Sequence, residues 1–109
     1  MDILGKVNVK NGEVADFYNA TKKLSDFVGK QIIIKKLFIY ENAGQKVGVI
    51  GDSSNNVIAT TSINVIGLLE LLSIMQDSYD FTKGVKVEVK TEKSANDNDF
   101  MVLRFVNNG

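Results

Sequence analysis

The stretch from Gly29 to Tyr40, GKQIIIKKLFIY, constrains the fold more than any other part of the sequence. Three consecutive isoleucines are stiff at χ1 and favour a pleated backbone, and aromatic residues are also enriched in strands. We therefore predict a strand over residues 31–40. Strict alternation would place Ile32, Ile34, Phe38 and Tyr40 on one face and Ile33, Leu37 and Ile39 on the other. Because both faces are apolar, the strand must be covered on both sides or must bend from one sheet into another.

The composition is that of one folded domain without a strong overall charge. A chain of 109 residues is long enough for one core and too short for two domains. Its 13 basic residues balance its 13 acidic residues, so any site for a polyanion must come from local clustering. The chain has no cysteine, no signal-peptide pattern at its start and no run of about 18 apolar residues. We expect a soluble cytoplasmic protein with no membrane partner.

The first 28 residues are predicted to form an N-terminal extension made of a strand and a helix. Residues 3–9 have the pattern of a short strand. Between residues 13 and 27, apolar side chains such as Val14 recur at helical spacing, and Gly29 then supplies a stop signal. We predict a helix over residues 13–27 that lies on the body of the domain.

After Gln31 the predicted order is strand, strand, strand, helix, strand, strand. Gly48 lies inside the second of these strands, where a glycine often marks a bulge or a sharp bend. The predicted helix is apolar outside one narrow polar stripe, which indicates burial on most of its circumference. The later strands are predicted at 45–51, 57–61, 85–90 and 100–106, the helix at 63–79, a polar loop at 91–99 and a frayed end at 107–109.

This order predicts a mainly β protein with two helices, whose residues 29–109 form an OB-fold-like five-stranded barrel after the extension of residues 1–28. In such a barrel the first strand is long, bent and shared by both halves, which explains its two apolar faces. The helix between the third and fourth strands closes one end of the barrel. The alternative is an open α+β sheet with both helices on one face.

The sequence GKQIIIKKLFIYENAGQKVGVIGD, followed by VIATT and a capped helix, resembles small phage-encoded OB-fold proteins that bind single-stranded DNA. The resemblance extends over residues 29–106 and rests on the order of elements. It implies a non-enzymatic accessory protein of phage replication or recombination, located in the cytoplasm of a bacterial host.

Lysines and aromatic residues near the first long strand form the candidate nucleic-acid site. Lysine contacts phosphate, and an aromatic ring stacks on a base with about 1–3 kcal/mol per base. The simpler interpretation is that Phe38 belongs to the core and that the lysines form a solvated edge. The candidate residues are Lys30, Lys35, Lys36, Phe38, Tyr40 and Lys46.

A second basic stripe lies on the predicted fourth and fifth strands of the barrel. It could extend the binding surface, with the 91–99 loop as a flap, or it could form cross-strand ion pairs with Glu88 and Glu92. Its residues are Lys83, Lys86, Lys90, Lys93 and Arg104. Either way we expect a single-stranded DNA partner, with RNA as the second choice.

Catalytic, cofactor and metal chemistry have little support in the sequence. The chain has no histidine or cysteine, no G-x-S-x-G motif and no glycine-rich phosphate loop. The acidic and amide residues at 96–99 lack the remaining ligands of a calcium loop. We therefore expect no enzyme activity, no cofactor and no bound metal.

An interaction protein is the alternative function. A phage or mobile-element protein of this size could bind or inhibit a host or replication protein. The predicted N-terminal helix, which a barrel does not need, could then form a homo-oligomer contact or a partner groove. The residues proposed for that contact are Val14, Phe17, Tyr18 and Leu24.

Overall fold

A computed structural model describes residues 2–106, which form seven strands and two α-helices. The expected fraying of residues 107–109 lies outside this range. The strands are β1 Asp2–Val7, β2 Lys22–Lys23, β3 Gln31–Asn42, β4 Gln45–Asp52, β5 Val57–Thr60, β6 Val85–Lys93 and β7 Asp99–Phe105. The helices are α1 Val14–Tyr18 and α2 Ile63–Ile74, and short 3₁₀ turns cover Asn11–Glu13, Leu24–Phe27 and Gln76–Ser78.

All seven strands belong to one mixed sheet that curls into a half-barrel. The strand order is β2-β5-β4-β3-β6-β7, and β1 also pairs with β3. The β2–β5 pair is parallel, and the other pairs are antiparallel. The sheet ends at β2 and β7, and between residues 2 and 106 no ladder joins β7 to β2 or to β5, so the sheet stays open there. The prediction of a mainly β protein with two helices is confirmed.

Strand β3 is shared by the two halves of the sheet. Its first residues, 31–34, pair with β6, and residues 37–41 pair with β1. Residues 34–42 pair with β4 on the other edge. The long strand predicted at 31–40 is therefore confirmed, and it extends two residues further.

A β-bulge at Lys35 divides β3 into two parts. In the β3–β4 ladder, Ile34 lies opposite Asp52 and Lys36 lies opposite Gly51, which leaves Lys35 as the extra residue. One extra residue reverses the alternation of side chains beyond it. Phe38 therefore faces away from Ile34, and the predicted assignment of both to one face is wrong because it assumed alternation through Lys35. Ile32, Ile34, Leu37 and Ile39 lie together in one core.

The two faces of β3 pack into two separate cores. The larger core lies between the sheet and α2, and its fully buried members include Ile34 and Leu69. The second core consists of Val9, Phe17, Phe38 and Val49, with partly buried side chains from α1, β3, β4 and β5 around them. The strand is thus covered on both sides, as its apolar faces require.

The helix predicted over residues 13–27 is wrong. Helix α1 ends at Tyr18, and the side-chain amide of Asn19 donates to the carbonyl of Ala15 at 2.9 Å. Residues seven apart lie on the same face of a helix, so an unbroken helix would hold Phe17 and Leu24 together. Phe17 instead enters the second core and Leu24 enters the larger core. The chain must break between them, and β2 and a 3₁₀ turn make the crossing.

Helix α2 is shorter and less buried than predicted. It ends at Ile74 rather than at residue 79, and its buried residues lie on one face. Ile63 is 86% exposed and Ile74 is 82% exposed. The prediction of burial around most of the helix is therefore wrong, because the outer face is apolar without being covered. Within residues 2–106, no helix is long and apolar enough to cross a membrane.

Gly48 makes room for α2 and does not mark a bulge or bend. The ladder is regular there, with Gly48 opposite Ile39 on one side and Thr60 on the other. A Cβ at this position would lie 2.9 Å from Leu69 Cδ1 and 3.2 Å from Ile66 Cγ1. Glycine is needed because the helix packs directly on the strand backbone.

The last hairpin is longer than predicted. Val85, Val87 and Val89 are buried as the alternation predicts. Strand β6 continues through Lys93 and β7 begins at Asp99, so four of the nine residues expected in the polar loop at 91–99 belong to the sheet and the turn shortens to residues 94–98.

We predict that Gly48→Val lowers the free energy of unfolding by about 1–3 kcal/mol, because it overpacks a closed helix–sheet contact. Urea denaturation measures the change. Gly67→Ala is the matched control: Gly67 lies in α2 with no heavy atom within 4 Å of a Cβ, so we expect a gain of about 0.5–1 kcal/mol. Equal stability of Gly48→Val and the unmodified protein would contradict the proposed packing.

Candidate nucleic-acid interface

The bulge in β3 brings two adjacent lysines to one cleft. Neighbouring residues of a regular strand point to opposite faces, yet Lys35 and Lys36 line the same opening because Lys35 is the extra residue. We call this opening the lysine cleft, and its volume is about 520 Å³. It is lined by Lys6, Asn8, Val9, Lys10, Lys35, Lys36, Phe81 and Thr82.

Asn8 holds the bulge in place. Its side-chain amide donates to the carbonyl of Lys35 at 3.2 Å, which gives the bulge residue a hydrogen-bond partner. Asn8 has φ +57°, a left-handed conformation that asparagine adopts more readily than most residues. This turn places Lys6 and Lys10 beside the bulge.

The lysine cleft carries positive charge that the protein does not compensate. Within residues 2–106, Lys36 has a carboxylate partner, Glu13, whereas Lys6, Lys10 and Lys35 form no ion pair. The Lys6 ammonium donates to Asn11 Oδ1 at 3.2 Å, and the Lys35 ammonium donates to the carbonyl of Thr82 at 2.7 Å. Both partners are neutral, so an anion entering the cleft would meet three ammonium groups that form no ion pair in the described residues.

Glu13 ties the N-terminal segment to β3 at the edge of the cleft. Its carboxylate accepts a hydrogen bond from the Lys36 ammonium and another from the backbone N–H of Lys10 at 3.0 Å. These bonds, with Lys36 as the larger cause, hold the pKa of Glu13 below its ordinary value. Lys36 is therefore ion-paired within the protein. Lys6 and Lys35 bond only to neutral groups, and Lys10 interacts with the Glu13 charge without forming an ion pair in the described residues.

The predicted stacking residues are used inside the protein. Phe38 is fully buried, and its ring centroid lies 5.9 Å from that of Phe17 and 5.2 Å from that of Tyr18. Tyr40 is half-buried and packs edge-on against Tyr18 at 4.8 Å. The face of Phe38 is closed to a nucleic-acid base, as the simpler interpretation of the sequence held.

Lys30 and Lys46 lie away from the cleft. The Lys30 ammonium lies 5.6 Å from the centre of the Phe27 ring. Lys46 pairs with Glu70 of α2 at 3.4 Å. Of the first predicted set, the structure brings Lys35 and Lys36 together at one opening and leaves these two at separate contacts.

The basic stripe on β6 and β7 is partly paired. Arg104 bonds to Glu92, with its Nε 3.1 Å from Glu92 Oε2, and this pairing raises the pKa of Arg104. Lys93 lies 4.0 Å from Asp97. The cross-strand interpretation therefore describes Arg104. Lys83, Lys86 and Lys90 form no ion pair within residues 2–106 and lie outside the lysine cleft.

Two lysines of the cleft, Lys6 and Lys10, were missed from the sequence. The alternating pattern KVNVK at 6–10 indicates one buried and one exposed face. Val7 and Val9 are buried, and Lys6, Asn8 and Lys10 are exposed. The pattern could show an exposed basic edge. It could not show that β1 pairs with β3, which brings that edge next to Lys35.

The polar loop at 94–98 closes a turn. The backbone N–H groups of Asn96 and Asn98 donate to Ser94 Oγ, each at 3.3 Å. In the described part of the chain, no three acidic side chains lie close enough together to hold a metal ion.

No protein-family model matches this chain, and no curated protein or solved structure is significantly similar to it. Function must therefore be inferred from the residues of the cleft.

The lowered pKa of Glu13 predicts a pH-dependent contribution to stability. A carboxylate with a depressed pKa in the folded state stabilises the protein above its ordinary pKa of 4.5, and this contribution is lost as pH falls through the lowered value. We expect Glu13→Gln to lower the melting temperature at pH 7, and this difference to shrink as the pH falls below 4.5 toward 2. Thermal unfolding across this range measures it.

Asp16→Asn, which removes an exposed carboxylate from α1, is the control for that experiment. It should change the melting temperature less than Glu13→Gln at pH 7. A Glu13→Gln difference that stays constant from pH 7 to pH 2 would contradict a role for the Lys36–Glu13 pair.

Proposed function

We propose that the protein binds single-stranded nucleic acid, DNA first and RNA second, through phosphate contacts in the lysine cleft. The observation that carries the proposal is the grouping of Lys6, Lys10 and Lys35 around one opening without carboxylate partners within residues 2–106. In a chain of zero net charge, such a local excess of cations is the feature that a polyanion would select.

Phosphate contacts rather than base stacking would supply the affinity. Phe38 lies in the second core, and Tyr40 packs on Tyr18, so neither offers an open ring face beside the cleft. Lysine contacts to phosphate carry no sequence information. We therefore expect binding that depends strongly on salt and weakly on base sequence.

In the same proposal, the half-barrel is an opened form of an OB-fold-like barrel. Three features support it: the order of β3 to β7, the long shared strand β3, and the position of α2 between the third and fourth of these strands. A closed barrel would need pairing between β5 and β7, whereas in the described residues the second edge of β5 pairs with β2. The N-terminal segment covers the outer face of β3 that carries Phe38.

The biological setting that fits this proposal is the one implied by the resemblance to phage-encoded single-stranded DNA-binding proteins. The protein would act in the host cytoplasm as a replication or recombination accessory without catalytic activity. A cleft of three available ammonium groups would bind short segments of a strand with moderate affinity.

Fluorescence anisotropy with a labelled poly-dT oligonucleotide tests the proposal. Three phosphate contacts to a single strand give a slope of log K against log salt of about −2.1, so affinity should fall about 20-fold between ~50 and ~200 mM salt. Replacing Lys6 and Lys10 by alanine leaves one contact and should reduce the slope to about −0.7. Both side chains are exposed, so the fold should survive.

Two matched variants control this experiment. Replacing Lys86 and Lys90 by alanine removes the same charge from β6 and should leave the salt slope unchanged. Glu13→Gln releases Lys36, which should tighten binding and bring the slope to about −2.8. The proposal fails if the protein does not bind at ~50 mM salt, or if the β6 variant loses as much affinity as the cleft variant.

The second candidate function is binding or inhibition of a host or replication protein by a phage or mobile-element module. Apolar side chains exposed on α2, including Ile63 and Ile74, favour it. The contact expected from Val14, Phe17, Tyr18 and Leu24 does not, since Phe17 and Leu24 are buried in the protein's own cores. Absence of nucleic-acid binding, with the fold intact, would favour this second function.

A further inference from the structure

One face of α2 carries apolar side chains that the domain does not cover. Ile63, Leu71 and Ile74 are 86%, 50% and 82% exposed, and Met75 follows at 39%. Spacings of eight and eleven residues place Leu71 and Ile74 on the same face as Ile63. The opposite face of the helix is buried in the larger core. We call the exposed residues Ile63, Gly67, Leu71 and Ile74 the α2 stripe.

The α2 stripe has a hollow and a projection one helical turn apart. A Cβ at Gly67 would have no heavy atom within 4 Å, so the helix backbone is open there. Leu71 projects beside it and is half exposed. When two such helices cross in antiparallel fashion about a two-fold axis between these positions, Leu71 of each copy lies over Gly67 of the other. The surface is therefore complementary to itself, as an isologous contact requires.

The ends of the stripe also match under this symmetry. A pocket of about 400 Å³ adjoins Ile63 and Ile66 at the start of α2, between the helix and the β3–β4 turn. The antiparallel crossing brings Ile74 of the second copy to this end. An exposed isoleucine and an adjacent pocket thus occur on one surface, at positions that the two-fold axis exchanges.

The charges around the stripe favour a second copy over a charged partner. The stripe itself contains no ionisable residue. Of the charged residues that line the pocket beside Ile63, Lys46 pairs with Glu70 at 3.4 Å, and Glu41 forms no ion pair in the described residues. A strongly charged partner would therefore find a single uncompensated carboxylate at the rim, whereas a second copy would bring an equally apolar stripe.

We propose that α2 mediates a weak two-fold dimer of this chain, in which the two α2 stripes cross antiparallel with Leu71 packed over Gly67. Glycine at the crossing lets the helices approach to about 8 Å. The stripe of four residues is smaller than a standard protein interface, so the dimer should be weak and reversible. The inference is independent of nucleic-acid binding, since the cleft residues are not part of the stripe.

Sedimentation velocity from ~1 µM to ~500 µM tests the proposal without nucleic acid. The unmodified protein should change from monomer to dimer within this range. Ile74→Lys puts a charge into the stripe, and Gly67→Gln fills the hollow with an uncharged side chain. Each should weaken association at least tenfold while the circular dichroism spectrum and melting temperature stay at or above those of the unmodified protein, because both positions face open space.

Val28→Lys is the matched control, because Val28 is an exposed aliphatic residue, 40% accessible, that lies outside α2. It should dimerise like the unmodified protein. A monomer at every concentration would overturn the proposal and would leave a different protein as the occupant of the stripe. Dimerisation that survives Gly67→Gln, or that Val28→Lys weakens equally, would also overturn it.

Discussion

The β-bulge at Lys35 determines which face of β3 each apolar side chain occupies. One extra residue in β3 lets Ile34 and Leu37, which lie on either side of the two lysines, enter the same core. The same shift turns Phe38 to the opposite face, where a second core must cover it. Without the bulge, the apolar residues of the two halves of β3 would fall on different sides, and neither core would be complete.

Packing and the candidate site are linked through this bulge. The side-chain amide of Asn8 donates a hydrogen bond to the carbonyl of Lys35, the bulge residue. The residues on either side of Asn8 place Lys6 and Lys10 at the cleft. The segment that covers Phe38 also supplies Glu13, which holds Lys36. Because of the bulge at Lys35, Phe38 and Tyr40 pack in the second core, and the side chains of β3 that line the cleft are those of Lys35 and Lys36. This is why the geometry supports phosphate contacts and not base stacking.

Local patterns predicted the sheet well because period-two alternation and turn signals lie within one segment. The strands β3 to β7, the start of α2 and the inward valines of β6 followed from such patterns. The predicted helix over 13–27 is wrong because helical spacing places Phe17 and Leu24 on one face, whereas these residues belong to two cores that only the folded sheet defines. Only part of the cleft could be predicted, for a similar reason. Lys35 lies in a strand that the local pattern predicts, whereas Lys6 lies near it only because β1 pairs with β3, which is distant in sequence.

A nuclear magnetic resonance titration of the ¹⁵N-labelled protein with a short poly-dT oligonucleotide at ~50 mM salt tests binding in the lysine cleft most directly. If the strand binds there, the largest amide shift changes fall on Lys6, Asn8, Lys10 and Lys35, and the amides of β6 and β7 are little affected. Shift changes concentrated around Lys86 and Lys90, or no changes at all, would contradict it.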